Sequence, residues 1–173
     1  MSAERVRRRP DSSSTTDVGL GPPCLGDGRE LWRIARDSET LDVNSPYSYV
    51  LWCRDFAATS VVARSEDGVC GFAIGFARPE DPGTLFVWQV AVDAVRRGTG
   101  LAHRMLDHLA NAGCRFVEAT VTPGNIASDR LFQSFARDRG AALERTPLLG
   151  GELFPGEHEP EVLYRIGPLR RRT

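Results

Sequence analysis

The stretch Trp88–Ala102, WQVAVDAVRRGTGLA, limits what this chain can fold into more than any other. Leu85–Val92 is an apolar, β-branched run that reads as a strand. The glycine-rich turn after it leads into a predicted helix over Gly98–Ala112, with Leu101, Met105, Leu106 and Leu109 on one face. A strand that turns tightly into a helix presents the first free N–H groups of that helix, and the positive end of its dipole, to an anion. Glycines at the turn remove Cβ obstruction and adopt dihedrals that other residues avoid. Arg96 and Arg97 add charge of the kind that grips phosphate oxygens. The spacing is neither the dinucleotide fingerprint nor a Walker loop. On these residues alone, a tight turn without a ligand is an equal reading.

Around this stretch the chain reads as α+β. Leu31–Arg36 alternates like a strand, and Asp37 or Ser38 is placed to cap a short helix. Ser45 and Pro46 suit the N-cap and first position of a helix carried by Tyr47–Phe56. Thr59–Arg64 and Val69–Phe76 flank a Glu66-Asp67-Gly68 turn and predict a hairpin. Pro79–Gly83 is expected as a loop. Gly113 suits a helix C-cap, Phe116–Thr122 a strand, Ile126–Asp138 a helix, and Ala142–Leu148 and Val162–Ile166 two further strands. This succession predicts a mixed sheet with helices on both faces. Residues 1–28 combine an Arg cluster, a Ser/Thr run and Gly/Pro spacing, and are expected to form a disordered leader. The folded domain is then 29–169, followed by a basic tail at 170–173.

Composition excludes several classes. At 173 residues the chain fits one domain, and a net charge of −1 gives no basic excess for a nucleic-acid partner. No apolar run approaches the ~20 residues that span a bilayer, and the Arg-rich start is not a secretory signal, so no membrane partner and a cytoplasmic location are expected. Cys24, Cys53, Cys70 and Cys114 share no ligand spacing with His103, His108 or His158, so no metal site and buried thiols are expected. All 22 basic residues are arginine, which leaves no lysine chemistry.

Arg97, Gly100 and Ala102 fit the arginine-x-x-glycine-x-glycine/alanine loop of the GNAT acetyltransferase superfamily. Gln89-Val90-Ala91-Val92 resembles the splayed strand of that family. Asn125-Ile126-Ala127-Ser128 with Leu131-Phe132 resembles its second cofactor segment. The resemblance implies a mixed, mostly antiparallel sheet of about six to seven strands, opened into a V that takes acetyl-CoA. Its pyrophosphate would rest on the amides of Arg97, Gly98, Thr99, Gly100, Leu101 and Ala102, with Asn125 and Ser128 opposite. The pantetheine arm would pair with Val90, Ala91 and Val92, and a backbone N–H near Val92 would polarise the thioester carbonyl, while a free amine attacks directly. The family often carries a tyrosine at the position of Phe132, whose hydroxyl protonates the departing thiolate; Phe132 has none. Ser128, Cys53 or water would have to serve, or the thiolate leaves unassisted.

A narrower resemblance covers about Glu30 to Ile166. Asp42–Tyr49 (DVNSPYSY), Leu51–Phe56 (LWCRDF), Phe86–Val92 (FVWQVAV) and Thr120–Asn125 (TVTPGN) are similar to the L-2,4-diaminobutyrate acetyltransferases of ectoine biosynthesis. That resemblance implies acetylation of the γ-amino group of a small diamine, in a homodimer. Such a substrate needs a carboxylate for an ammonium, a donor for its own carboxylate, and a base to free the attacking amine. Asp42, Tyr47, Trp88, Gln89, His158 and Glu161 are the candidate acceptor residues, with Asp42 as ammonium holder and Glu161 or His158 as base. Strand alternation requires Trp88 or Gln89 to face the cleft. Against these roles, Asp42 and Asn44 also suit a helix cap, Tyr47 and Trp88 also suit packing, and His158 and Glu161 also suit a solvated loop. The competing functions are transfer to another small amine or a peptide amine, and a non-catalytic acyl-CoA sensor.

Overall fold

A computed structural model describes residues 18–170 of the protein. Its elements are β1 Gly19–Gly21, α1 Gly28–Asp37, α2 Pro46–Asp55, β2 Val61–Ser65, β3 Gly68–Arg78, β4 Asp81–Val92, α3 Leu101–Asn111, β5 Phe116–Val121, α4 Ile126–Asp138, β6 Ala142–Leu149 and β7 Glu161–Gly167. They build one seven-stranded sheet in the order β1-β2-β3-β4-β5-β7-β6. Every neighbouring pair is antiparallel except β4 and β5. The expected α+β, mixed and mostly antiparallel architecture holds.

The sheet separates two cores. Leu31, Ile34 and Ala35 of α1 and Tyr49 and Cys53 of α2 pack on Val62, Phe72, Ile74 and Ala91. Leu101, Met105, Leu106 and Leu109 of α3 and Phe132 and Phe135 of α4 pack on the other face, against Ala73, Val87, Val117 and Ile166. Cys53 and Cys70 are buried, Cys114 is half-buried and Cys24 is exposed. No helix among the described residues is long and apolar enough to cross a membrane.

Two sequence expectations are corrected here. Leu31–Arg36 is the middle of helix α1, not a strand. Leu31, Ile34 and Ala35 bury one stripe at the i, i+3, i+4 spacing, which a six-residue window also displays as rough alternation. Ser38 therefore closes α1 rather than opening a helix, and its hydroxyl donates to the carbonyl of Ala35, 2.7 Å away. The leader expected over 1–28 is ordered from Val18 onward. Gly19–Gly21 adds an edge strand to β2. Arg104 donates to the carbonyl of Val18 at 3.0 Å, and Arg64 pairs with Asp27. The earlier part of that leader and residues 171–173 lie outside the described residues.

Smaller shifts follow the same logic. Most of the expected loop Pro79–Gly83 belongs to the β3–β4 hairpin, since β4 starts at Asp81. Gly98 and Gly100 precede α3 rather than forming its first turn. Ser45 caps α2 as expected, accepting from the N–H of Ser48.

Candidate functional site: a cleft beside a splayed strand

β4 and β5 pair only over Thr84–Phe86 and Phe116–Glu118. Beyond that point they part, and the last paired residue, Glu118, sits at the apex. It is 2% exposed and ion-paired with Arg78 of β3, at 3.1 Å, and with Arg165 of β7. A buried carboxylate is tolerated when it is paired and hydrogen-bonded. Here it joins β3, β5 and β7 where the V opens.

The backbone of the splayed part of β4 follows from alternation. Asp93 donates its N–H to Cys70 of β3 at 2.9 Å, so by the antiparallel pattern Ala91 also turns its backbone groups toward β3. Val90 and Val92 then turn theirs into the V. The carbonyl of Val92 is accordingly met from that side by Arg97 Nε, at 3.5 Å.

The V contains a cleft of about 550 Å³. Val90, Ala91 and Val92 form one wall, Arg97, Gly98, Gly100, Leu101 and Ala102 the end, and Asn125 and Ser128 the far side. Every residue expected to meet the cofactor therefore lines one space except Thr99, whose hydroxyl donates instead to the carbonyl of Arg96 at 2.7 Å and ties the turn together. Gly98 and Gly100 have φ of +76° and +78°, a region that favours glycine, and nothing lies within 4 Å of where a Cβ would be. That turn aims the free amides at the start of α3 into the cleft. The guanidinium of Arg97 is committed to the backbone carbonyls of Val92 and Asp37, the latter at 3.3 Å, so this arginine shapes the loop. Asn125 accepts from the N–H of Ser128 and caps α4, whose N-terminus also faces the cleft. The geometry fits a long ligand bearing a diphosphate and an amide-rich arm.

Sequence reasoning missed part of this lining. Arg130 and Ser134 extend the face of α4 that Ala127 and Leu131 begin, a spacing legible in the sequence. Ser38, Thr40 and Leu41, from the loop between α1 and α2, complete the wall. Reading Leu31–Arg36 as a strand hid that loop.

On the other face of β4 lies a second group of side chains. His158 Nε2 is 3.3 Å from Asp42 Oδ2, although the two residues are 116 positions apart. His158 Nδ1 donates to the carbonyl of Glu159 at 2.5 Å, and its ring stacks on Phe154 with centroids 3.9 Å apart. The Glu159 carbonyl, then the Asp42 carboxylate, raise the pKa of His158. Glu161 is half-buried at the start of β7. Burial pushes its carboxyl up, against a hydrogen bond from Thr120 and the nearby His158. Asp42, His158 and Glu161 are thus brought together.

Tyr47 is exposed on the first turn of α2. Trp88 is 48% exposed and lies against Trp52, with centroids 5.9 Å apart. The alternation argument for Trp88 and Gln89 needs correcting. Ile74 pairs with Gln89 but Gly75 pairs with Val87, so Trp88 is the extra residue of a β-bulge. The bulge turns both Trp88 and Gln89 toward α2. Gln89 is 7% exposed and hydrogen-bonds Tyr49 and the carbonyl of Asp42, so its amide is already committed. Phe132 is buried among α4, α3 and the sheet. Cys53 lies in the opposite core, its thiol pushed up to about 11 by burial.

Comparison with known proteins agrees with this geometry. Residues 28–136 match the model of the acetyltransferase (GNAT) family. An L-2,4-diaminobutyric acid acetyltransferase from Streptomyces coelicolor is 56% identical over 165 residues, covering 91% of this chain and 97% of that protein. One from Halalkalibacterium halodurans is 41% identical over 170 residues, covering 95% and 89%. Among solved structures, diaminobutyrate acetyltransferase EctA from Paenibacillus lautus, in complex with L-2,4-diaminobutyric acid and coenzyme A, aligns with a TM-score of 0.86 at 41% identity. That alignment covers 91% of this chain and 99% of the other.

Proposed function

The chain belongs to the GNAT acetyltransferase family, within the group of L-2,4-diaminobutyric acid acetyltransferases, and from that premise we propose how its residues divide the work. It transfers the acetyl group of acetyl-CoA to the γ-amino group of L-2,4-diaminobutyrate, a reaction of ectoine biosynthesis. The observation that carries the reading is the position of β4. Its backbone at Val90 and Val92, beyond the stretch that pairs with β5, faces the cofactor cleft, while Asp42, His158 and Glu161 gather on its other face.

Acetyl-CoA supplies an activated thioester. The amides from Gly98 to Ala102 hold its diphosphate, as helix N-termini hold anions, and Val90 aligns the pantetheine arm. The N–H of Val92 donates to the thioester carbonyl, a type of contact that contributes about 3–4 kcal/mol in enzymes that depend on it. Asp42 holds an ammonium of the diamine, with Tyr47 and Trp88 as flanking contacts.

Glu161 is the base. His158 Nδ1 is committed to the Glu159 carbonyl, so Nε2 meets Asp42 favourably when the ring is protonated, and its pKa is raised accordingly. Both ring nitrogens are then engaged, which leaves His158 no free lone pair for the amine. His158 therefore fastens the 150–160 loop to Asp42, and Glu161, made more basic by burial, accepts the proton of the amine. Phe132 supplies no acid. A thiol pKa near ~8.5 lets the thiolate leave without one.

The exposed aromatic side chains of Phe56 and Trp88, beside Trp52, Phe76 and Phe86, form a face suited to a second copy in a homodimer. Small soluble substrates accord with a cytoplasmic location.

Purified protein with acetyl-CoA is expected to release CoA in proportion to added L-2,4-diaminobutyrate, with NMR placing the new amide on the γ-nitrogen. Turnover of a polyamine or peptide but not of the diamine overturns the substrate. Binding of acetyl-CoA without transfer to any small amine makes the protein a sensor instead.

A further inference from the structure

The loop that carries Asp42 runs from Ser38 to Ser45 between α1 and α2, with no repeating hydrogen-bond pattern of its own. Such a segment holds a catalytic geometry only if other groups pin it. At its start, the hydroxyl of Ser38 accepts from the N–H groups of Thr40 and Leu41, at 3.4 and 3.3 Å. Past that point the pins come from elsewhere in the fold. Gln89 of β4 donates from Nε2 to the carbonyl of Asp42 at 2.8 Å. Its Oε1 accepts from the hydroxyl of Tyr49 on α2 at 3.0 Å. Asn44, two residues past Asp42, lies close enough to the same Tyr49 hydroxyl to favour its ionised form. Tyr49 is fully buried and Gln89 nearly so.

We propose that Tyr49 and Gln89 are positioning residues that set the distance between the thioester-polarising amide of Val92 and the ammonium-holding carboxylate of Asp42. This rests on the acceptor-site reading above. Gln89 belongs to the splayed strand, three residues before Val92, and it leaves that strand beside the bulge at Trp88. Any movement of β4 is thereby passed to the Asp42 loop through one amide. A primary amide is suited to the task because it accepts from a phenol and donates to a carbonyl at once. The bulge supplies the direction, since unbroken alternation would put Trp88 and Gln89 on opposite faces. Gln89 thus acts on the diamine through Asp42 and without touching it.

The test is steady-state kinetics of wild type, Tyr49→Phe, Gln89→Met, Asp42→Asn and the Tyr49→Phe/Asp42→Asn double variant, with each substrate varied in turn. Tyr49→Phe deletes only a hydroxyl, and Gln89→Met keeps the length of the side chain. Each is expected to raise KM for L-2,4-diaminobutyrate about tenfold, the effect of one lost buried hydrogen bond, and to leave KM for acetyl-CoA unchanged. Asp42→Asn raises the diamine KM too, and adding Tyr49→Phe to it raises KM less than about twofold further, because residues in one network are not additive. Unchanged diamine KM in both single variants, a parallel rise in KM for acetyl-CoA, or full additivity in the double variant would overturn the relay. Failure of the wild type to acetylate the diamine counts instead against the functional reading, and the relay is then judged by the same pattern on the amine that the enzyme accepts.

Discussion

On the cofactor side of β4 the groups proposed to face the ligand are mostly main-chain ones, drawn from Val90 to Ala102 and the first turn of α4. On the acceptor side the proposed ones are side chains from separate segments: Asp42 before α2, Trp88 at the bulge of β4, and His158 and Glu161 around the start of β7. The two halves share a strand and little else. A backbone-built site depends on dihedral angles and on empty space, so side chains in the turn may vary while Gly98 and Gly100 may not. A side-chain-built site depends on residue identity and on loops being held still. General recognition of CoA therefore goes with the first design, and selection of one diamine with the second.

The largest expected effect falls on the acceptor half. Glu161→Gln removes the proposed proton acceptor while preserving size, and should lower kcat about 10²–10⁴-fold. Calorimetry should find its affinity for acetyl-CoA intact; an equal loss of acetyl-CoA binding would show that Glu161 supports the cleft and is not the base.

The next effect falls on the cofactor half. Gly100→Val puts a β-branched residue at a φ of +78°. The strain costs about 1–2 kcal/mol, and the side chain enters the space in front of the free amides of α3. Relief of that strain moves the turn out of its binding conformation, so acetyl-CoA affinity should fall about 5- to 30-fold, since 1.4 kcal/mol is a factor of ten. A Kd within about twofold of wild type would place the diphosphate elsewhere.

The same contrast explains what could be read from the sequence. The candidate cofactor loop is contiguous, and its chemistry is that of a helix start, so Arg97–Ala102 and Asn125–Ser128 are legible in the sequence, and all of them but Thr99 and Ile126 line one cleft. The candidate acceptor residues can be named from the sequence, but their relations cannot. That Asp42 meets His158 depends on the paths of α2 and the 150–160 loop, and nothing local encodes it. Trp88 and Gln89 show a sharper limit. Alternation is the rule that reads a strand, and the rule fails at a bulge, which the register of β3 against β4 creates. Leu31–Arg36 failed for a different reason, because six residues with apolar pairs satisfy both periodicities and only burial against Phe72 and Tyr49 selects the helix. Glu118 went unnoticed because a lone glutamate in a strand reads as surface until Arg78 and Arg165 are brought to it.

The smallest expected effect tests how finely the acceptor half is tuned. Burial pushes the Glu161 carboxyl above the ordinary carboxylate range, and the Thr120 hydroxyl works against that shift by hydrogen-bonding the ionised form. Thr120→Val is nearly isosteric and removes the hydroxyl, so the pKa of Glu161 should rise further. The base works only when ionised. The acid limb of the kcat–pH profile should therefore move to higher pH, while the plateau above it stays close to wild type. Stability changes in step. A carboxyl whose folded pKa is raised holds its proton more tightly in the folded state, so its contribution is present below the unfolded value and is lost as pH rises through the folded one. Thermal midpoints of Thr120→Val and wild type should diverge on that rise. His158 also titrates above its ordinary value, so the control is His158→Gln, in which the limb set by Glu161 must persist. A limb that stays in place in Thr120→Val but vanishes in His158→Gln would transfer the role of base from Glu161 to His158.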